Sequence, residues 1–265
     1  MYTRFKKILF ATTFLAIYAI FLYFQANSTA FANEVLSNEL LAWGFRRGEN
    51  HSQATLDTKS ESVIRQYNGI SMGNEESKKI YLTFDCGYEA GYTQSILDIL
   101  KENDVEATFF ITGHYLNTAD ELVKRMIQEG HIVGNHTVNH KCLPEISDEE
   151  IEKEIMKLHS VVYEKFGYEM IYFRPPKGEF SQRVIDKVAN LGYTTVMWSS
   201  AYDDWDSEKQ GREEYGKKKI IDNIHNGCIL LLHATSEDNC KILGDVIQEI
   251  KKMGYEFSSL NNFER

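Results

Sequence analysis

From residue 79 to its end, this chain alternates short apolar runs with longer amphipathic stretches, and no other feature constrains its fold as strongly. The runs at 80–84, 107–111, 131–134, 171–173, 194–198, 229–232 and 256–259 have the length and composition of buried strands. Between them, 93–102, 119–129, 148–165, 182–191, 215–225 and 239–253 repeat their apolar positions at helical spacing. Two helix starts carry a capping-box signature, Thr118 with Glu121 and Ser147 with Glu150. Strand followed by helix, over and over, implies a parallel sheet. Polar residues with chemical potential follow the first, third, fourth, fifth and sixth strands. An open sheet would gather such residues only beside its switch point, whereas a ring brings five strand ends to one mouth. The expected fold is therefore α/β, a distorted (β/α) barrel of about seven strands whose working face is the C-terminal one.

The first 32 residues read differently. Arg4, Lys6 and Lys7 precede a run without charges from Ile8 to Phe24, and Ala30 and Ala32 flank Phe31 in an A-x-A pattern. That is an export signal with cleavage after Ala32, or an uncleaved anchor, and either places the remainder outside the cytoplasm, on the membrane only if uncleaved. Residues 33–78 lack sustained periodicity and are expected to form an extended segment packing through Trp43 and Phe45 onto a domain spanning 79–265. Loss of the leader takes the formal charge from −10 to −13, which disfavours nucleic acid as a partner. No protein partner is implied. Cys86, Cys142, Cys228 and Cys240 are too few and too unevenly spaced for a disulfide framework, although Cys228 and Cys240 could pair.

Five strand-end features carry chemistry. Asp85 leaves the first strand at a glycine turn, Thr83-Phe84-Asp85-Cys86-Gly87, where an aspartate serves either a reaction or an Asx-turn. His136 and His140 are four positions apart, and a helical turn between them would put both imidazoles on one face to chelate a divalent cation. Arg174 precedes two prolines and can hold a carboxylate by two parallel bonds. Tyr202, Asp204 and Trp205 follow the fifth strand, and His233 ends the sixth. Each alone has an ordinary explanation as a turn, surface or core residue. Their shared placement on one predicted face has none.

In order, Thr83-Phe84-Asp85-Cys86-Gly87, His136-Thr137-Val138-Asn139-His140, Arg174-Pro175-Pro176-Lys177-Gly178, Asp204-Trp205 and Leu231-Leu232-His233 resemble the five motifs of the polysaccharide deacetylase family, carbohydrate esterase family 4, over about residues 79–260. The stretches Trp43 to His51 and Phe84 to Thr93 look more narrowly like the branch that deacetylates N-acetylmuramic acid of peptidoglycan on the way to the muramic δ-lactam of spore cortex. One position departs from the pattern, since the family usually follows its catalytic aspartate with a second, metal-binding one, and here Cys86 stands there. Either a Cys86 thiolate replaces the carboxylate or the two histidines hold the cation with extra waters.

The resemblance implies an exported, metal-assisted amide hydrolase with a divalent cation, zinc foremost, on His136 and His140. Asp85 would be the base, His233 the acid sustained by Asp204, and Arg174 the residue that orients Asp85. A backbone N–H near 172–178 or in the first loop would help hold the oxyanion. Tyr88, Tyr202 and Trp205 would bind the sugar of a peptidoglycan strand. Alternatives are an N-acetylglucosamine deacetylase of vegetative wall or chitin fragments and, from another class, a glycan-binding protein without catalysis.

Overall fold

In the first long strand, β4 (Lys79–Cys86), the pleat sorts the side chains strictly. Ile80, Leu82, Phe84 and Cys86 enter a large apolar core, while Tyr81 belongs to a separate smaller one and Thr83 and Asp85 continue on Tyr81's side. The computed structural model describes residues 36–206 and 208–265, so the export signal read at 1–32 lies outside the described residues.

The other strands are β5 (Thr108–Ile111), β6 (Ile132–Asn135), β7 (Tyr172–Phe173), β9 (Thr194–Thr195) and β10 (Cys228–His233), all parallel, in the order β10-β4-β5-β6-β7-β9. Beyond β9 the chain returns to β10, where Ser199 donates to Ile229 and Leu231 donates to Ser200, so the sheet curls into a ring. The seventh strand, β11 (Glu256–Phe257), pairs with the foot of β4 and stands off the ring path. The barrel expectation holds with that adjustment.

Two cores follow from the two sides of the pleat. Inside, Tyr81, Phe110, Ile132, Tyr172, Val196 and Ile229 fill the ring, and Leu260 packs with them from the chain's end. Outside, the sheet is covered by α2 (Thr93–Glu102), α4 (Asp120–Gln128), α5 (Asp148–Phe166), α6 (Gln182–Asn190), α7 (Glu213–Asn223) and α8 (Glu237–Lys252). In α5 the Ser147 hydroxyl accepts from the Glu150 N–H as expected, and Gly167 ends the helix at φ 65°. The Thr118 cap is not there. Thr118 instead closes the short helix α3 (Gly113–Thr118), its hydroxyl donating back to the His114 and Tyr115 carbonyls, and α4 starts at Ala119 without a side-chain cap.

The N-terminal segment belongs to the same compact unit, which begins at Asn38. It is more structured than its lack of periodicity suggests. β1 (Leu41–Ala42) pairs with β8 (Glu179–Phe180), β2 (Phe45–Arg46) with β3 (Thr55–Leu56), and α1 (Thr58–Gln66) is a true helix capped by Asp57. Trp43 is buried with Leu41, Ile64, Phe180 and Met197, and its indole N–H donates to the Trp198 carbonyl at 2.8 Å. Phe45 packs against that cluster, as expected. All four cysteines are free, so Cys228 and Cys240 do not pair.

Candidate active site

Continuing the inward parity of each strand to the C-terminal rim reaches Asp85 from β4, His136 after β6, Arg174 after β7 and His233 at the end of β10. The site is the next layer of the barrel interior, in which apolar fillers give way to ionisable groups. Asp85 and His233 are register partners on adjacent parallel strands.

Arg174 is fully buried. Its guanidinium donates to Asp85 Oδ1 at 2.8 Å, to the Thr83 hydroxyl at 3.0 Å and to the Val196 carbonyl at 3.0 Å. The Phe110 ring lies 4.2 Å beneath it, close enough for a cation–π contact. Phe110 takes that place because Gly134 has no Cβ, which would come within 2.5 Å of the ring. Burial opposes the charge on Asp85, but Arg174, His136 and His233 together hold its carboxyl below the usual range.

The two histidines meet by a route other than the helical turn expected. Thr137 and His140 both adopt left-handed backbone, at φ 68° and 54°, making a tight turn that brings the imidazoles to 4.9 Å between centroids. Two buried side chains shape it. Asn135 Oδ1 accepts from the Thr137 N–H, and the Glu154 carboxylate accepts from the Asn139 N–H and side-chain amide. The His136 Nδ1 lies 2.8 Å from the Arg174 carbonyl, which can only accept, so Nδ1 carries the proton and Nε2 keeps its lone pair, 3.6 Å from Asp85 Oδ2. Burial lowers the pKa of both rings, that of His140 to about 4, so both are neutral donors at physiological pH. Neutral imidazoles, that of His136 pinned from behind at Nδ1, suit a borderline cation such as zinc. Among the described residues no third histidine, cysteine or carboxylate completes a ligand group.

Cys86 does not complete it. The pleat turns its side chain outward into the apolar core, fully buried near Tyr115. Burial first, and then Asp85 and Glu89, push the thiol well above its ordinary pKa, so it is not a thiolate.

His233 Nδ1 lies 2.8 Å from Asp204 Oδ1, and Asp204 Oδ2 accepts from the His233 backbone N–H and from Asn239. Burial disfavours the imidazolium, but Asp204 outweighs it and leaves His233 above its ordinary pKa. Tyr202 is mostly buried, its hydroxyl donating to Asn239, so it braces this network and presents only part of a face to the cleft. Tyr88 and Trp205 are the open aromatic surfaces, 46% and 63% exposed. The cleft they border measures about 600 Å³. A second hollow of about 640 Å³ starts at Gly87, Tyr88 and His140 and runs toward His114 and Asn117.

All nine expected site residues therefore border or brace one cleft. Thr83, Asn135, Glu154, Lys177, Trp198 and Asn239 were missed. Trp198 and Lys177 could have been found, since one continues the inward parity of Val196 and the other lies inside a quoted motif. Glu154 could not, being one acid among many on α5.

A model of the polysaccharide deacetylase family matches residues 72–196. The chain is 41% identical to an uncharacterised 30.6 kDa protein of Geobacillus stearothermophilus over 96% of this chain and 94% of that one. It is also 41% identical to the peptidoglycan-N-acetylmuramic acid deacetylase PdaA of Bacillus subtilis, over 86% of this chain and 88% of that protein. The solved structure of that enzyme, a family 4 carbohydrate esterase, superposes with a TM-score of 0.83 over 86% of this chain and 98% of that one. A family 4 carbohydrate esterase of Bacillus anthracis, 37% identical, follows at 0.73 over 86% and 98%. With its five motifs in order and gathered at the mouth of one barrel, the chain belongs to the polysaccharide deacetylase family.

Proposed function

We propose that this enzyme removes the N-acetyl group from N-acetylmuramic acid residues of peptidoglycan, outside the cytoplasm, as a step toward the muramic δ-lactam of spore cortex. The observation that carries the chemistry is the pairing of two oppositely tuned groups on neighbouring strands: Asp85, kept ionised by Arg174, and His233, whose protonated form Asp204 favours. A glycan-binding protein would need neither. The substrate reading rests on the likeness to the Bacillus subtilis deacetylase and on a cleft prolonged by a second hollow, as a polymer requires. Export rests on the leader pattern of residues 1–32.

The family's deacetylases are generally metal-dependent, and the residues present fit a cation held by two imidazoles with water filling the rest of its shell. Bound there, a divalent cation, zinc by our reading, supplies Lewis acidity toward the acetyl oxygen and acidifies water. Everything else falls to the chain. Arg174 occupies Asp85 Oδ1, leaving Oδ2 on the His136 side to take a proton from the attacking water. The water oxygen joins the acetyl carbon, the C–N bond breaks, and His233 Nε2 gives its proton to the departing nitrogen while Asp204 steadies Nδ1. Acetate and a free amine result. In the turn after β7 the two prolines have no N–H to offer an oxyanion and those of Arg174 and Gly178 already serve the Asn135 and Pro175 carbonyls, which leaves the expected oxyanion donor of this turn to Lys177.

The test is acetate release from peptide-stripped peptidoglycan by the zinc-loaded protein, with the new amine located by mass spectrometry. Muramic acid should carry it. Asp85→Asn and His233→Ala should each lose at least about 100-fold in rate with metal content and fold retained. Amines only on glucosamine, or wild-type rates in both variants, would overturn the proposal.

A further inference from the structure

We propose that Lys177 is the specificity determinant of this site, its ammonium receiving the lactyl carboxylate that distinguishes muramic acid from glucosamine; this rests on the substrate reading above. In the turn Pro175-Pro176-Lys177-Gly178, Lys177 sits in left-handed backbone at φ 58°, a conformation unfavourable for a non-glycine residue. The turn is held there from behind. A Cβ on Gly178 would come within 2.7 Å of the Trp198 ring, and the Gly178 carbonyl accepts from the Trp43 N–H at 2.9 Å. With that backing fixed, the residue at 177 is thrown forward onto the cleft wall, exposed.

Lys177 is the one lysine or arginine among the described residues lining the cleft. Arg174 lies buried beneath and is committed to Asp85. Among the described residues the Lys177 ammonium makes no ion pair, and it lies near enough to His140 to help depress that imidazole's pKa. Its position beside the histidines is what substrate chemistry asks for. The lactyl ether is on C3 of muramic acid and the acetamido group on C2, so an acetyl group placed at His136 and His140 carries the carboxylate alongside them. Of the rest of the lining, His233 is already paired with Asp204, Asp85 is anionic, and the others are aromatic or neutral. Glucosamine has a hydroxyl at C3 and gains nothing from the lysine.

The experiment compares Lys177→Gln and Lys177→Arg with wild type on three substrates: peptide-stripped peptidoglycan, the same glycan with its lactyl carboxyl amidated, and an N-acetylglucosamine oligomer. A lost charge-assisted bond predicts that Lys177→Gln lowers kcat/KM on the first about 10- to 100-fold, mainly through KM, and leaves the other two within about twofold. Lys177→Arg should recover most of the loss, and added salt should erode the wild-type preference. Equal loss on all three substrates, or a preference that survives Lys177→Gln, would overturn the lysine's role alone. A wild type that prefers the glucosamine oligomer, or acts on neither glycan, would overturn the substrate reading and the lysine's role with it.

Discussion

Asp204 controls the protonation of a neighbour it touches through two atoms, and this makes a pH profile the sharpest probe of the site. With His233 as the proposed acid, the rate is present below the His233 pKa and is lost as pH rises through it. That pKa is raised against the pull of burial, with Asp204 the largest favourable cause. Asp204→Asn should therefore move the alkaline limb of kcat/KM to lower pH, read from initial rates across a buffer series; an unmoved limb would mean that another group sets it. Cys86 offers the opposite kind of prediction. Because its thiol is neutral and faces the apolar core, Cys86→Ala should keep metal stoichiometry and rate while losing on the order of 1 kcal/mol of stability. Cys86→Asn should cost more, about 1–3 kcal/mol, because it buries an amide in the apolar core near Tyr115. Metal lost together with activity in a folded Cys86→Ala would make the thiol a ligand after all. At this scale the sequence was legible where residue type combined with a strand-end place on one face, as for Asp85 and Arg174. The two possible parts for Cys86 could be separated only by the pleat, which decides the side on which a side chain emerges.

Among elements, the His136–His140 turn shows how far a motif can be read without its surroundings. The spacing pointed to a shared face on a helix, yet the turn is made of left-handed residues that no periodicity announces. What sustains it comes from α5, where Glu154 is buried and takes both bonds from Asn139. Glu154→Ala should loosen the geometry of the pair and weaken metal binding about 10- to 100-fold, as removal of a supporting partner does elsewhere. Competition with a chromogenic chelator would measure it, and an unchanged affinity would show that the turn holds by itself. The strands and long helices were legible because their apolar periods are strong. α1 and α3 were not, since one is dominated by polar residues and the other spans only six.

Across the whole molecule, the ring is closed by an isolated bridge, not a regular strand, where β9 gives way to the bonds of Ser199 and Ser200 with β10. The N-terminal segment crosses that region, Trp43 bonding to the Trp198 carbonyl and packing against the turn that carries Lys177. Trp43→Ala should cost about 3–5 kcal/mol and, in the fraction still folded, reduce kcat/KM, because Trp198 lines the cleft. Equilibrium unfolding in urea and assay of the folded variant would measure both, and a stability within 1 kcal/mol of wild type would deny the segment this part. The sequence pointed to Trp43 as an anchor but not to what it anchors, since the contact spans more than half the chain. The turn that brings the two imidazoles together has a further consequence for the order in which this enzyme fails. His136 and His140 are near each other in sequence and turn on bonds from Asn135 and Glu154, whereas Asp204 reaches His233 from the loop beside the ring's seam, where an isolated bridge and not a ladder joins the chain to β10. Segments joined by few bonds open before the core strands do. In a gentle denaturant series, acetate release should therefore vanish while the protein still retains its metal, leaving over a narrow range a loaded but silent enzyme.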